Sequence, residues 1–379
     1  MYGMDTYTRT HTGTPAIAIE HKNVPRTTFA RQQASLTAHS LELDHRLAEK
    51  VLQGPWDVDV DVEEKGGGGG GGGDGTVHPE KTVLYLAYGS NMDTRTFSRV
   101  RGIKPVSLVN VYVPELELTF DLAGIPYREP CFATARYRRS DRGPGTYSDD
   151  DEKDALLNDD GDDGVDGVDS RGRWNKPLIG VVYEITARDY AWMIATESGG
   201  RGYNDRIVTC YPFPDSYDPA DEVPDHPATR PFKAHSLLSL LADNNDEDVP
   251  FNPRIRPNPF YAQPSRRYRD VVHSGAVESG LPFAYRDYLL QIHAFETTTS
   301  RQRAGKKVFL ALWLPLILLV EYFTLTYARP TGYSPRWVAV LSSVVYTCMW
   351  KSYDWLFFRV FGDGERTIGD SYGDSSYEG

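Results

Sequence analysis

Two short stretches hold the residues whose types and spacing could do chemistry. The first is Val83-Leu84-Tyr85-Leu86-Ala87-Tyr88-Gly89-Ser90-Asn91-Met92, an apolar, β-branched and aromatic run that stops in Gly-Ser-Asn. A strand ending in a tight turn at the entry to a helix leaves backbone N–H groups facing outward. Such a turn can hold an anion or a developing oxyanion. The second stretch closes the apolar segment Tyr190-Ala191-Trp192-Met193-Ile194-Ala195 with Glu197, followed by Ser198-Gly199-Gly200-Arg201-Gly202 and Tyr203. Glu197 there faces the negative end of a helix dipole, a placement suited to general acid–base work if the surroundings are apolar. A solvated helix-end glutamate would read the same way. Among the other ionisable residues, Arg206 is the nearest downstream cation for a carboxylate, and Glu184 alternates onto a strand face as a structural acid. Glu278 and Glu296 read as surface charges on helices, and His273 and His293 as packed or solvated helical histidines.

The elements that must position these residues follow from periodicity. Strands are expected at Val83–Tyr88, Val106–Val113, Leu116–Leu122, Leu178–Ile185 and Arg206–Tyr211. Leu116, Leu118, Phe120 and Leu122 fall on one face, the pattern of a half-covered antiparallel strand. A helix-compatible segment, Asp93 to Arg99, follows the turn. Thr186 is a suitable N-cap for a helix over Ala187–Thr196. Pro264-Ser265 opens a helix to about Ser279, Gly280-Leu281-Pro282 closes it, and another spans Phe283–Phe295. No regular βαβ alternation and no G-x-G-x-x-G after a strand appear, which disfavours a dinucleotide-binding sheet. The fold expected is α+β: a small mixed β-barrel with flanking helices, a disordered N-terminus and acidic insert, and a C-terminal helical hairpin.

Composition divides the 379 residues further. Residues 1–80 include the eight-glycine run Gly66 to Gly73, which offers nothing to bury and is expected as linker or disorder, with a short helix around Leu41–Leu52 inside it. Eleven acids between Asp149 and Asp169 face Lys153 alone and nearly account for the formal net charge of −12. The acidity therefore belongs to an insert, residues 140–173, and says little about partners. A further loop, 243–259, is rich in Asp, Asn and Pro. The catalytic core is expected within 81–300, an apolar helical tail at 301–362 and disorder at 363–379. Three widely spaced cysteines, Cys131, Cys210 and Cys348, fit neither a disulfide framework nor zinc spacing, and suggest a reducing compartment. No apolar leader opens the chain, so secretion is not expected. Basic residues do not cluster with aromatics on the core, so nucleic acid is not an expected partner.

Three motifs in order are similar to those of one family. Tyr85-Leu86-Ala87-Tyr88-Gly89-Ser90-Asn91-Met92 resembles the Y-x-A-Y-G-S-N-[LM] turn of γ-glutamylcyclotransferases. Glu197 stands where that family has its glutamate, after Gly180-Val181-Val182-Tyr183-Glu184-Ile185 and a short helix. Pro264-Ser265-Arg266-Arg267-Tyr268, continuing to Gly275-Ala276, Glu278, Gly280-Leu281-Pro282 and Tyr285, resembles the family's C-terminal helices. The resemblance covers about residues 82–297, in a fungal-type long form with an apolar tail. It implies a barrel with a deep pocket in which a γ-glutamyl group cyclises to 5-oxoproline and expels the attached amine. The substrate's own α-amine is the nucleophile, so no cofactor and no metal is implied. Glu197 would be the catalytic proton shuttle. Tyr85, Leu86, Ala87, Tyr88, Gly89, Ser90, Asn91, Tyr203 and Tyr268 would bind a small-molecule substrate, a γ-glutamyl amino acid or an adduct derived from glutathione. A non-catalytic binding or scaffold protein on the same fold is the alternative, and the retained carboxylate at Glu197 favours the enzyme.

The tail raises a separate expectation. Val308 to Ala328 is 21 residues of mainly apolar side chains, broken by Pro315 and Glu321, long enough to cross a hydrocarbon core. Arg301, Arg303, Lys306 and Lys307 precede it and would stay on the cytosolic side. A second apolar run, Trp337 to Trp350, is short for a span. The expectation is a cytoplasmic catalytic domain anchored through 308–361 to an intracellular membrane, the alternative being helices packed on the core or paired in a homodimer.

Overall fold

The computed structural model describes residues 23–36, 81–138, 174, 176–197, 203–224, 228–239, 256, 258 and 261–369. The glycine run, the acidic insert 140–173, the expected helix at 41–52, loop 198–202 and nearly all of 243–259 lie outside the described residues. Five strands close a barrel in the order β1-β5-β2-β6-β7. They are β1 (Thr82–Ala87), β2 (Ser107–Val113), β5 (Leu178–Thr186), β6 (Tyr203–Pro212) and β7 (Phe232–Ser239). Neighbours run antiparallel except at the closure, where β1 pairs parallel with β7 through Tyr85–His235 and Leu86–Ser236. β1 and β5 are buried on both faces, which is why their sequences are continuous apolar runs instead of alternating ones. A separate two-stranded hairpin, β3 (Leu116–Ile125) and β4 (Glu129–Tyr137), packs against the barrel's pocket side.

Two of these strands have no counterpart in the sequence periodicity. β7 carries Lys233, His235 and Ser236, residues with low strand preference, yet Phe232, Ala234, Ser236 and Leu238 are buried at every second position and Leu237 is buried beside them. β4 contains Pro130 and Arg136, and its register against β3 shifts between Thr119 and Leu122, which breaks the pattern.

The helices form largely where caps mark them. α2 (Ala187–Thr196) starts at Thr186, whose side chain accepts the Asp189 N–H, and α3 (Arg266–Glu278) starts at Ser265, which accepts the Tyr268 N–H. α4 covers Phe283–Gln291, shorter than expected because Ile292 leaves the helical region. The segment after the Gly-Ser-Asn turn is one 3₁₀ turn, Ser90–Met92, and then a widened helical turn at Arg95–Val100. α3 presses on that turn through Gly275, where a Cβ would lie 2.5 Å from the Asp93 nitrogen. Glu278 is not a free surface charge as expected. Half-buried, it accepts the Thr94 N–H at 3.0 Å and fixes the same turn from below.

Two segments expected to lack structure are ordered in part. Residues 23–36, with helix α1 (Phe29–Ala34), lie along the barrel. There Thr27 N–H donates to the Leu108 carbonyl of β2, Leu108 N–H donates to the Pro25 carbonyl, and Arg31 pairs with Glu184 at 2.9 Å. Residues 363–369 also pack: Gly364 O accepts from Tyr127 N, and Glu365 is 1 % exposed beside Arg256.

The tail is a helical pair, α5 (Ser300–Thr326) and α6 (Arg336–Ser352), continuing through a short turn at Tyr353–Phe357. Its root forms a second core around Tyr127 of the β3–β4 turn, with Phe309, Met349, Trp350, Tyr353 and Phe357. α5 is long and apolar enough to cross a membrane by length and composition, and only 22 % of its most apolar window is buried.

Candidate active site

The strand–turn segment and the helix-end glutamate meet. β1 delivers Tyr85, Tyr88 and the Gly89-Ser90-Asn91 turn, α2 delivers Glu197 as its C-cap, β6 delivers Tyr203 and α3 delivers Tyr268. All eight of these line one cavity of about 580 Å³. Leu86 and Ala87 do not reach it. Their side chains are buried in the barrel, opposite Val182 and Val181 of β5. Loop 198–202, which follows Glu197, lies outside the described residues.

The Glu197 carboxylate is held by two side chains. Asn91 Nδ2 donates to Oε1 at 3.1 Å, and Arg101 Nη2 donates to the same oxygen. Asn91 Nδ2 also reaches the Tyr85 hydroxyl at 2.9 Å. Arg101 is fastened a second time by Nη1 to Thr196 Oγ1, while its carbonyl accepts the Trp192 indole N–H at 3.0 Å. Glu197 therefore lies against a guanidinium, not in a wholly apolar pocket. Asn91 Oδ1 and Arg101 Nε are buried without a hydrogen-bond partner among the described residues. A buried unpaired acceptor beside a carboxylate is a ready seat for a donor-rich group such as an ammonium.

The tyrosines share a backbone anchor. Tyr268 OH accepts the Ala133 N–H at 3.2 Å, and Tyr203 OH donates to the Ala133 carbonyl at 3.1 Å. Tyr88 OH donates to the Leu237 carbonyl. Burial first, and the neighbouring Glu197 charge next, hold the phenols of Tyr85, Tyr203 and Tyr268 well above their ordinary range. Burial and the neighbouring phenols do the same to Tyr88. All four are neutral hydroxyls near pH 7 and act as hydrogen-bonding groups, not as bases.

Sequence reasoning missed Arg101. The cation it named, Arg206, sits on β6 outside the cavity lining. Arg101 follows the widened turn and precedes Gly102, whose φ of 73° reverses the chain toward Ile103. A cation just past the helix that leaves the signature turn was the available signal. Among the described residues no group of three or more His, Cys, Asp or Glu could hold a metal ion.

The chain is 29 % identical over 289 residues to γ-glutamyl cyclotransferase gliK of Aspergillus fumigatus, spanning 76 % of this chain and 90 % of that one. It is 28 % identical over 292 residues to γ-glutamyl cyclotransferase aclK of Aspergillus oryzae, spanning 76 % and 91 %. Over three quarters of its length the chain is similar to γ-glutamyl cyclotransferases. Residues 299–360 match the AclK C-terminal domain, so the helical pair is a recognised module. A solved structure named γ-glutamyl cyclotransferase aligns with 60 % of the chain and 99 % of its own length, at 16 % identity and a TM-score of 0.34.

Proposed function

We propose that the protein cyclises γ-glutamyl amides to 5-oxoproline, with Glu197 carrying the protons. The observation that carries this reading is the meeting of Asn91 and Glu197 at 3.1 Å, inside a cavity walled by neutral tyrosines. The α-ammonium of the substrate gives a proton to Glu197, and the freed amine attacks the γ-carbonyl carbon. The carbonyl oxygen becomes an oxyanion, next to the backbone of the Gly89-Ser90-Asn91 turn. As the oxyanion collapses, the amide C–N bond breaks. Glu197 relays protons from the attacking nitrogen to the departing one, leaving a lactam N–H and a free amine. Holding both reacting groups of one molecule in contact can supply roughly 7–11 kcal/mol of the barrier, and the shuttle roughly 10²–10⁴-fold in rate. γ-Glutamyl amino acids and γ-glutamyl adducts derived from glutathione are the substrates this chemistry admits.

The test is 5-oxoproline release by the full chain. Glu197→Gln keeps an oxygen to accept from Asn91, so it should fold while losing roughly 10²–10⁴-fold in turnover. Undiminished release by that variant would remove Glu197 from the mechanism.

We also propose that the outer face of the helical pair rests on a membrane, with the barrel on the cytoplasmic side. Leu312, Leu316 and Leu319 of α5 and Trp337, Val340 and Val344 of α6 are all exposed, a contiguous apolar face larger than isolated surface residues make. The full chain should float with phospholipid vesicles in a density gradient. Recovery entirely in the lipid-free fractions, as monomer or as dimer, contradicts it.

A further inference from the structure

The cavity that holds Glu197 is not closed by the barrel alone. Its far wall comes from the C-terminal helices, where Ile317 of α5 and Ala339, Ser342, Ser343 and Thr347 of α6 line the same space. The pair is fixed to the barrel at both ends. At the tip, Gly332 adopts φ of 84° and lies so close to α2, the helix that ends in Glu197, that a Cβ there would sit 1.9 Å from the Ala191 carbonyl oxygen. At the root, Tyr127 OH donates to the carbonyls of Phe357 at 3.1 Å and Gly362 at 2.7 Å. Helices committed along one side to a barrel cannot cross a bilayer without leaving it, so only their opposite face is open to a partner.

That opposite face carries apolar side chains and, toward the root, cations. On α6, Trp337, Val340, Val344, Cys348 and Lys351 are all exposed and recur at helical spacing as one stripe. The stripe runs on through Trp355, which is 73 % exposed, to Arg359. On α5, Val308, Leu312, Leu316 and Leu319 form the matching stripe, and Arg301 precedes it on the same side of the helix. Trp313 Nε1 donates to Ser352 Oγ at 3.0 Å, and a Cβ on Gly305 would lie 2.5 Å from the Phe361 Cβ. The start of α5 is therefore the neighbour of the segment that continues α6. Arg301, Arg303, Lys307, Lys351 and Arg359 stand toward this root, all exposed, and none pairs with a carboxylate among the described residues.

Residues 300–361 hold eight Lys or Arg against two acids, Glu321 and Asp354, a net charge of +6 in a chain whose formal net charge is −12. Asp354 already pairs with Arg256 at 2.7 Å. A basic segment of this size on an acidic protein fits an anionic partner, and the stripes require that partner to be apolar as well. The acidic insert matches the charge but brings few apolar side chains. A second copy of the tail matches the apolar face but sets +6 against +6. A bilayer with acidic headgroups meets both demands, taking the stripes at the acyl boundary and the root cations at headgroup level. We infer that the outer face of α5 and α6 docks on acidic phospholipids, selected by Arg301, Arg303, Lys307, Lys351 and Arg359. This rests on the membrane reading of the tail and is independent of the cyclotransferase chemistry.

The test sediments the full chain with vesicles of phosphatidylcholine alone and of phosphatidylcholine mixed with phosphatidylserine. Binding to the mixed vesicles should be tighter by roughly tenfold or more, and that increment should fade as salt rises. Arg301→Gln, Arg303→Gln and Lys307→Gln together should remove most of the increment and leave the weaker binding to phosphatidylcholine unchanged. Leu312→Ser with Leu319→Ser should weaken binding to both vesicles. Cys348 reports on the face directly: it is exposed, whereas Cys131 and Cys210 are buried, so a polar maleimide should label it in the free protein and more slowly once mixed vesicles are added. Equal affinity for the two vesicles at low salt overturns the choice of acidic lipid while the membrane reading stands, and binding to neither overturns both. Slow labelling of Cys348 in a vesicle-free dimer would give the face to a second copy. Binding to mixed vesicles that emerges only when residues 149–169 are deleted would give the cations to the acidic insert. Either result also overturns the inference.

Discussion

Removing the Arg101 guanidinium tests the site at the joint on which it turns. In Arg101→Ala, Glu197 Oε1 loses its ionic partner and Thr196 loses the same clamp, while Asn91 still donates at 3.1 Å. The two side chains are 12 % and 19 % exposed. Breaking a fully buried ion pair by deleting one partner costs about 3–5 kcal/mol, and partial solvent access reduces that to roughly 2–3 kcal/mol here. For a domain of this size the melting temperature should fall by roughly 5–10 °C. Turnover should fall by roughly 10²-fold, the loss expected when a reacting group drifts by about 1 Å. Arg101 acts through Glu197, so a positional signature is needed. Added guanidinium ion should restore part of the turnover of Arg101→Ala. Arg101→Lys, which keeps the charge but not the fork spanning Glu197 and Thr196, should fall between the two. Wild-type kcat/KM in Arg101→Ala, or a loss that guanidinium never touches in a protein of unchanged stability, refutes the reasoning.

Two further outcomes follow from single contacts. Tyr268→Phe strips the acceptor from the buried Ala133 N–H, which should cost about 1–3 kcal/mol and raise KM; chemical denaturation and steady-state kinetics check both, and wild-type values in each would count against the tyrosine anchor. Burial pushes the Glu365 carboxyl up to about 7, against the pull of Arg256. The folded state then binds its proton more tightly than the unfolded chain, so this contribution is complete below about pH 4.5 and fades as pH rises through about 7. At about 1.4 kcal/mol per unit the loss is at most roughly 3 kcal/mol. Between pH 5 and 8 the wild-type melting temperature should fall relative to that of Glu365→Gln, and parallel curves would contradict it.

Much of this was legible because local signals agreed with the global fold. The Thr186 and Ser265 caps stand where their helices begin, and the doubly buried β1 and β5 read as unbroken apolar runs. What stayed hidden depended on contacts distant in sequence. Glu278 looked like a helix-surface acid because its partner, the Thr94 N–H, lies 184 residues away. Arg101 has no periodic neighbour and gains its role only when α2 arrives 96 residues later. Leu86 and Ala87 belong to the same motif as Tyr85 and Asn91, yet strand pairing turns their side chains into the barrel. The tail's apolar run was plain, but hydropathy averages over a helix and conceals which face carries Glu321. The ordered segments at 23–36 and 363–369 bury too little of their own to announce themselves, and borrow order from β2 and Tyr127.

The Gly332 contact with α2 also bears on the order in which the molecule is assembled. Residues 82–197 contain the turn, Arg101 and Glu197, so the reactive constellation is complete in sequence long before its far wall has been synthesised. A contact that joins residue 191 to residue 332 closes a long loop and forms late. The nascent barrel passes through a stage with its charged centre open on one side. A chain stopped near residue 300 would stay at that stage, with the Glu197–Arg101 pair in place and the cavity without the wall that α5 and α6 supply.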